Sequence, residues 1–216
     1  MDGVIDLARA RELVGNAALW PRVRDFLWDF APQVHASWRD GLDPLDSPRV
    51  KRYLLDSLDV EPCFHDFPKE DGSRLLLLDG ATLEKVVQWL GALACADELR
   101  RVTDGATVRA LRAALPGVYP DVFGYTAYFR EFGSRGDAAA PRLEERVPET
   151  GWGILLSAVA GLPASLVARL AFKLPKPLGA AAPRRKMKPQ QGEALRSAIL
   201  KLLKLKFPEA YSLCCS

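Results

Sequence analysis

Leu83, Val86, Val87, Leu90, Leu93 and Ala94 recur three or four residues apart, so the chain between Asp79-Gly80 and Glu98 carries one apolar stripe along a helix. A helix of that kind is stable only when another element covers the stripe, which commits the chain to helix-on-helix packing. The same period returns in Ile5, Leu7, Ala8, Leu13 and Val14, in Val23, Phe26, Leu27 and Phe30, and in Val50, Tyr53, Leu54 and Leu58. It returns again in Val108, Leu111 and Leu115, in Trp152, Leu155, Leu156 and Val159, in Leu166, Val167 and Leu170, and in Leu195, Ile199, Leu202 and Leu203. Pro21 suits a first helical turn, whereas Pro32, Pro116-Gly117, Gly161, Pro163, Pro175 and Pro177 stop the segments before them. Leu75 to Leu78 alone suggests a strand, and four leucines without β-branching leave it undecided. The expected fold class is mainly α, a compact multi-helix domain with short irregular loops and at most a minor strand element.

Gly133 to Pro148, rich in alanine and charge, reads as a surface loop, with a second half of the chain opening at Gly151. Two parts are therefore expected: a helical body over 1–148, and a C-terminal helical part over 149–216 with a Pro/Ala/basic linker at 178–189. The second part is expected to pack on the first as one domain. Apolar runs fall far short of the roughly 20 residues of a membrane-spanning helix. The acidic start, followed by Arg9, Arg11 and Glu12, argues against a secretory signal and for a cytoplasmic protein.

Candidate chemistry is thin. Cys63 and Cys95 stand alone and Cys214-Cys215 are adjacent near the end, unlike a disulfide framework, and the pair reads as frayed-end thiols. Ser212 occupies the place a prenylated cysteine requires. Neither His35 nor His65 has a helically spaced ligand partner, and Cys63-x-His65 supplies two donors at most, so no metal or other cofactor is expected. Phosphate-binding glycine loops, a G-x-S-x-G elbow and a His-Glu-x-x-His pair are all missing, which weighs against an enzyme. The aromatic run Tyr119, Phe123, Tyr125, Tyr128, Phe129 and Phe132 reads as core packing in preference to base stacking, with Arg130 and Arg135 sparse company for nucleic acid.

Charge is segregated. Residues 173–206 hold ten basic side chains against Glu193, +9 in a chain of net +3, which leaves −6 for the remainder. Such a pattern steers acidic partners and suits an interaction protein with an acidic surface on the body and a basic one near the C-terminus. Candidate partner-binding residues are Trp38 and Phe172 as aromatic anchors, each better suited to a core, together with Lys173, Arg184, Arg185, Lys186, Lys188, Lys201 and Lys204. The rival readings of the basic C-terminal helix are a peripheral membrane contact, weakened by an apolar face without Trp, and nucleic-acid binding, weakened by the acidic body.

Three separated segments carry a family likeness. Pro32-Gln33-Val34-His35-Ala36-Ser37-Trp38 is similar to a Pro…His-x-Ser-Trp element, with Ala36 where proline is common. Leu90-Gly91-Ala92-Leu93 followed by Leu99-Arg100-Arg101-Val102 is similar to an LG…(L/I)RR pairing of helices. Arg169-Leu170-Ala171-Phe172-Lys173-Leu174-Pro175, a linker, Leu200-Lys201-Leu202-Leu203-Lys204 and Phe207-Pro208 complete the pattern. In order and spacing the chain resembles the YscK/PscK-type (SctK) accessory proteins of bacterial type III secretion systems, related to OrgA and MxiK. The resemblance implies a non-enzymatic adaptor of the cytoplasmic sorting platform beneath the injectisome, a virulence device for protein transport. It would sit at the cytoplasmic face of the inner membrane. Its partners would be the forkhead-associated-like cytoplasmic domain of the inner-membrane ring protein and the pod-forming protein that carries the ATPase complex. No nucleic-acid partner is implied.

Overall fold

The computed structural model describes residues 7–60, 64–129, 132, 142–176 and 189–215. Among the described residues there are ten α-helices and no strand, so the chain is mainly α as its periodicity requires. In chain order the helices are α1 (Leu7–Val14), α2 (Trp20–Leu27), α3 (Pro48–Ser57), α4 (Gly80–Ala94) and α5 (Ala96–Arg101). They continue with α6 (Gly105–Ala114), α7 (Leu143–Val159), α8 (Ala164–Ala171), α9 (Pro189–Lys206) and α10 (Pro208–Cys215). The Leu75–Leu78 ambiguity resolves as a 3-10 helix, Ser73–Leu77, in which every residue is buried.

The chain divides into two compact units, each gathered from separated stretches. The first comprises Met1–Gly80, Val159–Lys186 and Pro208–Ser216, and the second Ala81–Ala158 and Met187–Phe207. Ala168 and Phe172 close the core of the first unit, while α9 belongs to the second. No sequence-local rule reports which distant stretch will cover a stripe.

In the first unit, Phe30, Val34, Trp38, Leu54, Val60, Ala168 and Phe172 form a buried cluster, with Leu42, Val50, Leu55 and Leu58 against it. Pro21 and Pro48 stand in the first turns of α2 and α3, where a missing N–H costs nothing. α10 begins at Pro208 in the same way and buries Cys214, so that residue is a packed helical side chain and not a frayed-end thiol. Burial pushes the Cys214 thiol up to about 12.

In the second unit, α4 and α7 cross at two glycines. A Cβ on Gly91 would lie 1.8 Å from the Val147 carbonyl oxygen, and one on Gly151 would lie 2.0 Å from that of Val87. Only glycine lets the two backbones meet so closely. The crossing is flanked by a weak Cys95 Sγ to Thr150 Oγ1 contact of 3.9 Å and by a half-buried ion pair between Glu98 and Arg146. α7 begins at Leu143 and continues through Pro148, so 143–148 is helix and not the tail of a loop; residues 133–141 lie outside the described residues. Glu144 and Glu145 in its first turn complement the helix dipole, and Val147 is fully buried, which together outweigh the one backbone hydrogen bond Pro148 cannot make. α9 lies against the end of α7, where Arg196 Nη1 donates to the Ala158 carbonyl at 3.0 Å.

Candidate partner-binding surfaces

Two of the three segments that carry the family likeness meet in the first unit. Trp38 packs edge-on against Phe172 at 5.6 Å, and Phe30 stacks on the same ring at 5.5 Å. Trp38 Nε1 donates to the Leu174 carbonyl at 2.9 Å, His35 N donates to the Phe172 carbonyl at 2.7 Å, and Lys176 N donates to Ser37 Oγ at 2.9 Å. The Pro-to-Trp element and the Arg-to-Pro element are thus two halves of one clasp. With 6% and 2% of their surfaces exposed, Trp38 and Phe172 are core residues, and their candidacy as exposed anchors is corrected.

Arg169 and Lys173, four residues apart, project from the same side of α8 and its extension into the unit. Arg169 Nη1 donates to the Leu27 carbonyl at 2.8 Å, the final carbonyl of α2, and its guanidinium lies 5.8 Å from the Phe30 ring centre. Lys173 Nζ donates to the Leu76 and Leu78 carbonyls, both at 2.7 Å, at the end of the Ser73–Leu77 turn, and lies 5.1 Å from the Phe26 ring centre. Each cation therefore satisfies carbonyls that a helix end leaves without an intrahelical donor. Lys173 is 4% exposed, so it is removed from the partner-binding set. Burial lowers its ammonium to about 7, with Asp79 and Asp25 pulling up and Arg22 pulling down.

The second unit carries its cations on rings. The aromatic passage forms two short 3-10 turns, Asp121–Gly124 and Thr126–Tyr128, and not one helix face. Phe129 and Phe132 are buried, but Tyr128 is 57% exposed. Arg100 donates to Thr126 Oγ1 at 2.6 Å and lies over Phe123. Lys201 Nζ donates to the Tyr128 carbonyl at 2.9 Å and lies 5.4 Å from the Phe129 centre. Lys206 Nζ sits 4.4 Å from the Trp89 centre and 4.0 Å from the Tyr125 centre. Beside Lys206 a groove of about 490 Å³ opens between α4 and the 116–118 turn.

Lys201 and Lys204 are exposed on α9, as a partner-binding role needs, while Arg184, Arg185, Lys186 and Lys188 lie outside the described residues. Lys173 belongs to the first unit and is buried there, whereas Lys201 and Lys204 belong to the second. Lys206 and its rings escaped sequence reasoning: the cation was visible, but its ring partners lie about eighty and one hundred and twenty residues away in the chain. Asp104 caps α6: its carboxylate accepts Thr107 N–H at 2.7 Å and is held below the usual carboxylate range by that bond.

No curated protein and no solved structure matches the chain. A family model described as YOP proteins translocation protein K (YscK) matches residues 24–118, which takes in Trp38, Gly91 and the Trp89 side of the groove and stops short of Phe172 and α9. Over those residues, somewhat under half of the chain, the protein is similar to the YscK family of type III secretion proteins.

Proposed function

We propose that the chain is a non-enzymatic cytoplasmic adaptor of the type III secretion sorting platform, joining the inner-membrane ring protein to the pod protein that carries the ATPase complex. The match of residues 24–118 to the YscK family carries this reading. Two features of the molecule support it. Its helices are held by internal clasps of the kind a rigid coupling piece needs, and α9 presents Lys201 and Lys204 outward where an acidic partner can reach them. The apolar face of α9 is unsuited to lipid, because Ile199, Leu202 and Leu203 on it are fully buried.

The test is a pull-down from purified components, with the ring protein's cytoplasmic domain and the pod protein each offered to wild type and to a Lys201→Glu, Lys204→Glu double variant. Wild type retains both proteins, and the double variant loses at least one with about a tenfold fall in affinity. Failure of wild type to hold either protein refutes the adaptor role. Undiminished binding of both by the double variant removes α9 from the interface.

A further inference from the structure

We propose that the groove beside Lys206 is a docking site for an extended segment of a partner protein bearing a carboxylate next to an apolar side chain. This goes beyond the adaptor reading and stands without it. At about 490 Å³ the groove is far larger than a single inorganic anion, and Trp89, Pro116, Val118 and Phe207 line it with apolar surface. An occupant must therefore present apolar atoms as well as charge.

Lys206 supplies the charge requirement. Its ammonium lies against the Trp89 and Tyr125 rings, themselves edge-to-face at 5.5 Å, and among the described residues neither Lys206 nor Lys85 has an ion-pair partner. Ring faces attract a cation through their quadrupole but do not neutralise it, so its N–H groups remain donors for an incoming anion. The rings also order the side chain beforehand, which lowers the entropic cost of binding there. The remaining lining distinguishes among anions. Glu84 opposes a phosphate chain or an anionic lipid surface, which bring many charges at once, but tolerates one carboxylate placed at Lys206. Gln88 offers an amide donor and acceptor suited to a peptide backbone.

A random peptide library displayed on phage, selected on wild-type protein and depleted on Ala81→Trp, tests the site directly. Ala81 is exposed on the groove wall, so the added indole fills the groove without disturbing the core, and thermal melts verify folding. Enriched peptides are expected to share Asp or Glu beside an apolar residue and to bind Ala81→Trp and Lys206→Glu at least tenfold more weakly than wild type. No enrichment, enrichment without an acid, or equal binding to Ala81→Trp overturns the proposal. Lys206-dependent binding of single-stranded oligonucleotide or phosphatidylserine vesicles, in place of peptide, overturns it as well. Titrating the ring domain and pod protein against wild type separates the two readings: peptides that bind while both proteins fail leave the groove standing and sink the adaptor.

Discussion

At the scale of single residues, Lys173 is the most informative, because an ammonium enclosed by Phe26 and two carbonyls must trade hydration for those contacts. Its folded value of about 7 lies below the ordinary 10.5, so between those limits the unfolded chain holds more protons and stability rises with pH. Below pH 7 both states are protonated and the penalty is constant. Cys214 acts in the opposite sense, its raised thiol losing stability as pH climbs above 9.0, so the clean window is pH 7 to 9. Denaturant melts should show wild type gaining about 2 kcal/mol across that window, a slope that Lys173→Met abolishes. Trp38→Phe retains the ring packing but strands the Leu174 carbonyl, and should cost about 1–2 kcal/mol in urea melts. Lys173 was legible as a cation and as part of a family element. That it points inward was not, since the carbonyls it meets lie about one hundred residues away in the chain.

At the scale of elements, the α4 and α7 crossing depends on the absence of two side chains. Gly91→Ala or Gly151→Ala drives a methyl into a backbone carbonyl that cannot rotate aside, so each should cost about 3 kcal/mol or more through separation of the helices. Gly80→Ala is the control, since nothing lies within 4 Å of a Cβ there and its effect should stay within about 0.5 kcal/mol. The stripe of α4 was readable from its period, and burial of Leu83, Val86, Val87 and Leu90 follows it. Gly91 appeared in the sequence only as a family letter; its steric purpose required the position of Val147. The alanine-rich, charged composition of 133–148 reads as loop, yet α7 starts at Leu143 and runs through Pro148 with Val147 buried, since composition carries no measure of which side chain a distant helix will cover.

At the scale of the whole molecule, stretches far apart in the chain complete one another. A chain ending at residue 158 keeps Phe30, Val34 and Trp38 but lacks Ala168 and Phe172, which close their cluster. Limited proteolysis of that truncation should cleave 20–60 rapidly where the full chain is protected, with loss of cooperative unfolding.

Periodicity and punctuation in the sequence determined the helical class and most helix positions, because each rests on residues within a few turns of one another. Tertiary structure alone decided that Trp38, Phe172, Arg169 and Lys173 serve the interior and that Lys206 serves a groove. Those roles depend on which carbonyls and rings are brought alongside from distant parts of the chain, and chain order carries no measure of that distance.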